Sequence, residues 1–172
     1  MRAKTASWIL IGFLGVVPVG CGGGGGAGAS PAGNVKLSGA IKEPRSWGVD
    51  GIATLPNQQT QTVSYLGEGM QKSITGKGVL LLDLLQRAKP KFDAKKKRDM
   101  LRYAIYIHAT DGYASSLSWG EIDPDFAAKP VLVTYEENGK RLDRPGVLVP
   151  GDKHGGRHVY DTDKIELVAL GD

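Results

Sequence analysis

The residues best suited to chemistry are concentrated near the end of the chain, in the segment VPGDKHGGRHVYDTDKIEL at residues 149–167. Six consecutive residues there combine cationic side chains with glycines: Lys153, His154, Gly155, Gly156, Arg157 and His158. Glycines allow a ligand to approach the backbone N–H groups closely, and cationic side chains bind phosphates and carboxylates. The segment could be an anion site, a metal site, a catalytic centre or only a long hairpin.

The metal and hydrolase interpretations have little local support. His154 and His158 have the spacing of two zinc ligands on one helix face, but the two glycines between them disfavour a helix. No glutamate follows the first histidine, as the metalloprotease pattern requires, and His108 lies on a separate predicted strand. No serine lies in a Gly-x-Ser-x-Gly turn, so a serine hydrolase is not indicated.

Two interpretations of Arg157 remain open from the residues alone. Its guanidinium offers the bidentate geometry that recognises a phosphate or carboxylate ligand. Alternatively, the segment is a polar hairpin whose histidines and Arg157 bond to carbonyl groups and to nearby acids such as Asp152 and Asp161. The residue types favour the two interpretations equally.

The elements around this segment predict an α+β fold, mixed and mostly β, with about eight short strands and one helix. Alternating apolar residues predict strands at 34–41, on both sides of the Gly67–Gly69 turn, and at 102–110. Apolar residues at helical spacing predict a helix over 79–89. The other predicted elements are hairpin turns at Asp111-Gly112 and Asn138-Gly139, a helical turn at 119–126 capped by Ser118 and Glu121, and final strands at 147–149, 158–160 and 164–170.

A run of charge, DAKKKRDMLR at residues 93–102, predicts a linker or a short helix. A solvated face is the plain interpretation of such a run, and contact with anionic lipid or nucleic acid is the alternative.

The beginning of the chain predicts export and a lipid anchor. Residues 1–20 have the basic start and apolar middle of a signal peptide, followed by Cys21 in a lipobox-like setting. Residues 21–33 then form a glycine-rich tether to one domain at 34–172. An ordinary signal peptide with a chance cysteine is the alternative. We therefore expect a protein anchored to a membrane in the periplasm or at the cell surface.

Composition restricts the chemistry further. Cys21 is the only cysteine, so a lipidated chain has no thiol left for a disulfide, a metal or a nucleophile. Without Arg2 and Lys4, 20 basic residues face 18 acidic ones, a net charge of +2. A charge so close to neutral argues against a nucleic-acid partner.

The order of segments resembles the oxidoreductase molybdopterin-binding domain family, which has the sulfite-oxidase-like fold. The resemblance covers most of residues 36–170 and rests on GVLLLDLLQRA, IHATDGYASSLSWGEI, VLVTYEENGKRL and VLVPGDKHGGRHVYDTDKIEL. It implies that Gly155, Gly156, Arg157 and His158 face a pterin and its phosphate, with Lys153 and His154 beside them. Tyr160 replaces a lysine of the family pattern.

A second departure concerns the metal. Catalytic members of this family hold molybdenum through a cysteine, and the corresponding stretch here, around Tyr65–Gly69, has none. Tyrosine and glutamate oxygens are hard ligands and replace a soft sulfur poorly. Molybdopterin is therefore a candidate cofactor without a cysteine ligand for molybdenum.

Three functions follow as hypotheses. The first is a lipid-anchored module that binds an anionic small molecule or a pterin through Arg157 and its neighbours, without molybdenum redox catalysis. The second is a periplasmic molybdopterin-dependent oxidoreductase with a metal ligand other than cysteine. The third is a structural or partner-binding lipoprotein, in which an exposed Trp47 or Trp119 would matter more than Arg157.

Overall fold

Residues 33–171, the part of the chain that this computed structural model describes, contain two β-sheets, three short α-helices and two 3₁₀ turns. The predicted signal peptide, Cys21 and nearly all of the tether lie outside these residues. The strands are β1 (Val35–Gly39), β2 (Arg45–Trp47), β3 (Gln59–Gly67), β4 (Met70–Leu80), β5 (Tyr103–Ala109), β6 (Ala114–Ser118), β7 (Leu132–Glu137), β8 (Lys140–Leu148) and β9 (Thr162–Ala169). The helices are α1 (Val49–Ala53), α2 (Leu81–Arg87) and α3 (Trp119–Ile122).

The two sheets differ in strand order and in strand direction. The five-stranded sheet has the order β2-β1-β9-β5-β6, and β9 pairs parallel to β1 and antiparallel to β5. The four-stranded sheet has the order β3-β4-β7-β8 and is antiparallel throughout. The chain leaves the end of β8 and returns in the centre of the other sheet, so residues 149–161, here called the terminal loop, connect the two sheets.

One large hydrophobic cluster lies between the sheets and holds them together. It takes Leu37, Ile105 and Ile165 from the first sheet and Val133 and Val147 from the second. Because apolar residues alternate along these strands, one face of each sheet contributes to this cluster. The prediction of a single, mostly β domain is confirmed.

The four-stranded sheet is also buried on its other face. A smaller cluster there contains Val63, Tyr65, Ile74, Leu132 and Leu148. Successive residues of β7, such as Leu132 and Val133, point to opposite faces and are both fully buried. The terminal loop covers part of this second face, because Gly155 and His158 lie against the Tyr65 ring.

Three local predictions are confirmed by the turns and caps. Asn138 and Gly139 have φ values of +50° and +75°, as expected for a two-residue hairpin turn. Gly112 has φ +89° in the predicted turn after β5. α3 begins with the predicted capping box, in which Ser118 and Glu121 bond reciprocally to backbone N–H groups.

Several element boundaries differ from the prediction. Val79 and Leu80 belong to β4 rather than to the helix, because β4 continues to pair with β7 up to Leu80, and the helix ends at Arg87. Residues 158–160 are not a strand, and Val159 makes only one isolated bridge, with Val147. β2 and α1 lie within residues 44–56, a stretch in which no strand or helix was predicted.

The tryptophan of α3 is structural rather than exposed. Trp119 is buried against Phe92, with ring centroids 4.7 Å apart, and its Nε1 donates to Asp123 at 2.7 Å. Trp47 is partly buried and packs on the large cluster. Trp119 is therefore not available as an exposed contact for a partner, whereas Trp47 keeps part of its surface exposed.

Candidate functional site

The terminal loop lies across the end of the β3–β4 hairpin. The Leu66 N–H donates to the Lys153 carbonyl at 2.7 Å, and Leu66 forms a parallel bridge with His154. A single 3₁₀ turn, Gly155–Arg157, follows. The predicted loop and the stretch that resembles the family's metal-ligand region are therefore adjacent in space.

Arg157 is bound by two carboxylates of this chain. Its Nε and Nη2 donate to the two oxygens of Asp152 at 2.7 Å and 2.6 Å, which is a bidentate pair. Its Nη1 donates to Glu121 Oε1 at 2.8 Å. Glu121 belongs to α3, so Arg157 ties the terminal loop to that helix.

Lys129 completes this group, which we call the charge cluster: Glu121, Lys129, Asp152 and Arg157. The Lys129 ammonium lies 3.3 Å from Asp152 and 3.5 Å from Glu121. The four side chains are largely shielded from solvent and carry two positive and two negative charges. The cluster is therefore electrically neutral, and its cations are already paired.

The titration of the two acids reflects this pairing. Hydrogen bonds from Arg157 lower the pKa of Asp152 below its usual value, against the opposing effect of burial. Burial acts to raise the pKa of Glu121, but hydrogen bonds from Arg157 and the Ser118 N–H lower it overall. Asp152 and Glu121 thus stay ionised, and the pKa of Arg157 rises further above its ordinary value because Asp152 accepts its hydrogen bonds.

His158 faces the protein interior, with 4% of its surface exposed. Its Nδ1 accepts a hydrogen bond from the Val149 N–H at 3.0 Å, so the neutral ring carries its proton on Nε2. That Nε2 has no hydrogen-bond partner within residues 33–171. Burial lowers the pKa of His158, with Asp152 opposing the shift, so the ring stays neutral and does not supply a positive charge.

Gly155 is required by a close contact with Tyr65. A Cβ at position 155 would lie 2.5 Å from the Tyr65 ring, closer than such atoms approach one another. The Tyr65 ring also contacts His158 edge-on, with centroids 4.7 Å apart. At Gly156, in contrast, the nearest atom to an added Cβ is the Tyr113 hydroxyl at 3.9 Å. The close approach that Gly155 allows is to a side chain of the protein.

A second polar group lies behind Tyr65. The Tyr65 and Tyr160 hydroxyls are 3.4 Å apart, and burial raises the pKa of Tyr160. Glu137, with 9% of its surface exposed, accepts a hydrogen bond from Thr134 at 2.9 Å. Burial raises the pKa of Glu137, and within residues 33–171 no cation forms an ion pair with this carboxylate to oppose the shift.

A pocket of about 330 Å³ opens between the β3–β4 hairpin and the start of the terminal loop. Its lining residues are Ser64, Tyr65, Leu66, Gln71, Gly151, Asp152 and Lys153. Lys153 is exposed and forms no ion pair within the described part of the chain. Because Asp152 is neutralised by the charge cluster, Lys153 gives this pocket its net positive charge.

The residues present do not fit molybdenum held by a protein thiolate. Residues 33–171 contain no cysteine and no group of three or more metal-ligating side chains. In the stretch that resembles the metal-ligand region, the Tyr65 hydroxyl lies against Tyr160 and the Glu68 carboxylate pairs with Lys72 at 2.6 Å. Both are hard oxygen donors that already have partners.

Comparison with solved structures shows what this fold is similar to. The crystal structure of the sulfane dehydrogenase SoxCD from Paracoccus pantotrophus matches 78% of this chain with a TM-score of 0.60 and 16% sequence identity. This likeness supports a sulfite-oxidase-like fold. The chain spans 38% of the length of that neighbour's chain.

Comparisons of sequence find no match, either to a known protein family or to a curated protein. Within residues 33–171, every helix is too short or too polar to cross a lipid bilayer.

The predicted site residues occupy one loop but have different surroundings. Lys153 and His154 are exposed, Gly155 packs on Tyr65, Arg157 is paired and His158 is buried. Asp152 is the acid partner that the hairpin interpretation named, whereas the Asp161 carboxylate has no hydrogen bond or ion pair in the described chain. Glu121 and Lys129 were missed, because they are far from Arg157 in sequence and no local pattern connects them.

Proposed function

We propose that this chain is an exported, lipid-anchored binding protein whose sulfite-oxidase-like domain binds a small anion beside the terminal loop. The observation that carries the proposal is the pocket between the β3–β4 hairpin and Gly151–Lys153, with Lys153 as its unpaired cation. Its volume of about 330 Å³ is at the lower end of small-molecule sites, which suits an oxyanion or one planar ring.

The charges assign separate tasks to the cations of the loop. Arg157 and Lys129 balance Asp152 and Glu121, so this group holds the loop in place without adding net charge. Lys153 then attracts the ligand, and His154 lies next to it on the exposed side. Gly155 and His158 pack against Tyr65, which lines the pocket, whereas Gly156 lies nearer to the Tyr113 hydroxyl. The ligand class is a tetrahedral oxyanion, either free or as the phosphate of a pterin.

The anchor is the part of the proposal that sequence alone supports. An apolar segment followed by Cys21 and a glycine-rich stretch would attach the domain to a membrane through lipid on that cysteine. Mass spectrometry of the chain extracted from membranes tests this directly. We expect the mature chain to begin at an acylated Cys21, and a free thiol at that position would overturn the anchor.

The binding site is tested on the full chain purified in mild detergent. The probes are thiosulfate, inorganic phosphate and a phosphorylated pterin, each titrated by calorimetry at low salt. Binding of thiosulfate or inorganic phosphate would identify a free oxyanion as the ligand. Binding of the phosphorylated pterin without binding of the other two probes would identify the phosphate of a pterin.

The matched variants are Lys153→Ala and Lys140→Ala. Lys140 is also exposed but lies at the opposite end of β8 from the loop. We expect Lys153→Ala to weaken binding about tenfold, the usual effect of losing one charge-assisted hydrogen bond, and Lys140→Ala to leave it unchanged. The proposal fails if no probe binds, or if both variants behave like the unaltered chain.

A redox enzyme is the second candidate function, and the likeness to a sulfane dehydrogenase favours it. Metal analysis of the purified chain separates it from a binding protein. Stoichiometric molybdenum would favour the enzyme and contradict the proposal of a binding protein without redox catalysis.

A further inference from the structure

A second cationic surface lies away from the terminal loop. Lys95, Lys96, Lys97 and Arg98 follow one another and are all exposed. We call residues 95–98 the basic loop. None of the four forms an ion pair with a carboxylate of the described chain, although the Arg98 guanidinium lies 5.8 Å from the centre of the Phe126 ring. Four unpaired positive charges within four residues create a local potential that attracts an anionic partner.

The backbone of this loop is held by buried contacts. Asp99, directly after the loop, is buried and accepts hydrogen bonds from the Asp93 N–H and from Arg102 Nε, both at 2.7 Å. The Asp93 carboxylate in turn accepts from the Lys95 N–H at 2.9 Å. The cations are therefore presented on an ordered backbone, which reduces the entropy lost when a partner binds.

Two exposed apolar side chains border the basic loop. Leu101 is 41% exposed and Phe126 is 40% exposed. Leu101 packs over Gly120, whose carbonyl accepts a hydrogen bond from the Ala127 N–H, so Leu101 and Phe126 lie near one another. Lysines beside exposed leucine and phenylalanine are the combination by which peripheral proteins bind at a lipid headgroup layer.

We propose that the basic loop, with Leu101 and Phe126, docks the domain on an anionic lipid surface. The cations would contact lipid phosphates, and the two apolar side chains would enter the headgroup region. Lys42 and Lys91 extend the charge, because the Lys91 N–H donates to the Ala40 carbonyl and brings both lysines to the same end of β1. This surface is separate from the anion pocket and goes beyond the proposed function.

The length of the tether is compatible with this contact. Twelve residue steps separate Cys21 from Gly33, a maximum reach of about 40 Å. β1 has five residues and spans about 17 Å. The tether joins one end of β1, and Lys42 and Lys91 lie at the other end. Because the tether is longer than β1, a Cys21 anchored in the membrane would still allow the basic loop to reach the same membrane surface. The tether length is the only support for the lipid contact that depends on the proposed anchor at Cys21.

The test uses residues 33–172 without an anchor, because both hydrophobic clusters lie within residues 35–167. Vesicles of phosphatidylcholine alone are compared with vesicles containing one quarter phosphatidylglycerol, in a sedimentation assay. We expect the domain to bind the anionic vesicles only, and to be released at 0.5 M salt because screening shortens the range of the charges. Equal binding to both kinds of vesicle would overturn the proposal.

Paired variants identify the surface. Lys96→Gln with Lys97→Gln should weaken vesicle binding by about fivefold per lysine, and about twenty-five-fold together. Lys77→Gln with Lys140→Gln removes the same charge elsewhere and should have little effect. An equal loss in both pairs would mean that only net charge matters, and would overturn the assignment to this loop.

A third variant separates lipid from other polyanions. Leu101→Gln with Phe126→Gln should reduce binding to anionic vesicles severalfold and leave binding to polyglutamate or to a single-stranded oligonucleotide unchanged. If the oligonucleotide binds more tightly than the vesicles and this variant has no effect, the loop belongs to a nucleic-acid partner and the lipid proposal is wrong. Lys153→Ala should weaken anion binding in the pocket and leave vesicle binding unchanged, so the two proposals can fail independently.

Discussion

The terminal loop and the basic loop have similar cations and opposite surroundings. In the terminal loop, Arg157 donates three hydrogen bonds to Asp152 and Glu121, and Lys153 is the cation that stays unpaired within the described residues. In the basic loop, Lys95 to Arg98 have no carboxylate within ion-pair distance in the described chain. Most of the charge in the terminal loop is paired within the protein and stabilises its backbone, whereas the cations of the basic loop remain available to a partner.

The difference teaches that a cation-rich segment does not identify its own role. A guanidinium that is already paired must break existing hydrogen bonds before it can bind a ligand, whereas a solvated lysine loses only water. Partial shielding increases this cost for Arg157, since Asp152 and Glu121 would lose their main partner. Pairing therefore distinguishes a structural cation from a binding cation.

The largest effect should come from removing the paired cation. Arg157→Ala leaves Asp152 and Glu121 with Lys129 as their only cation, and we expect a loss of about 2 kcal/mol in the free energy of unfolding. Urea denaturation measures it. Lys97→Ala in the basic loop is the control and should change stability by less than about 0.5 kcal/mol. Similar losses in both variants would remove the distinction between the two loops.

A glycine pair tests why the terminal loop is rich in glycine. Gly155→Ala should cost about 1–2 kcal/mol, because its Cβ would lie 2.5 Å from the Tyr65 ring. Gly156→Ala meets only the Tyr113 hydroxyl at 3.9 Å and should cost clearly less. Thermal unfolding of both variants gives the comparison. If Gly156→Ala were the more damaging change, packing on Tyr65 would not explain the glycines.

The paired and unpaired acids should respond to pH in opposite ways. The pKa of Asp152 is lowered in the fold, so its contribution is present above the unfolded pKa and is lost as pH falls through the folded value. Asp152→Asn should therefore cost about 1 kcal/mol at pH 7 and approach zero effect in acid. Unfolding free energies measured from pH 7 to pH 3 test this, and a cost that persists unchanged at pH 3 would contradict it.

Glu137 provides the opposite case. Its pKa is raised by burial, so the protonated carboxyl stabilises the fold below the unfolded pKa, and this contribution is lost as pH rises through the folded value. Glu137→Gln should therefore be at least as stable as the unaltered chain at pH 7, by up to about 1 kcal/mol, and equal to it near pH 4. A clear loss of stability at pH 7 would show that an ionised Glu137 has a partner.

Local residue patterns were sufficient for much of the fold. The Asn138-Gly139 turn, the Ser118–Glu121 capping box and the alternating strand at 102–110 depend on neighbours in sequence, and all three form. The predicted start of α2 and the predicted strand at 158–160 were wrong. Contacts between residues far apart in sequence decide both: the pairing of β4 with β7, and the path of the terminal loop between the sheets.

The candidate site was predictable only as a segment. Residue types singled out 153–158, and the two interpretations of Arg157 were equally good because its partner Glu121 lies on another element. Burial decided the role of His158, and the volume of the Tyr65 ring decided that of Gly155. Neither property is visible in the sequence of the loop.

The most direct test of the different roles of Arg157 and Lys153 is nitrogen-15 NMR of both side chains during a titration with thiosulfate. We predict that the Arg157 Nε–H signal exchanges slowly with water and stays in place, while the Lys153 Nζ signal shifts to saturation. A shift of Arg157 with an unchanged Lys153 would contradict the account, because Arg157 would then be the residue that meets the anion.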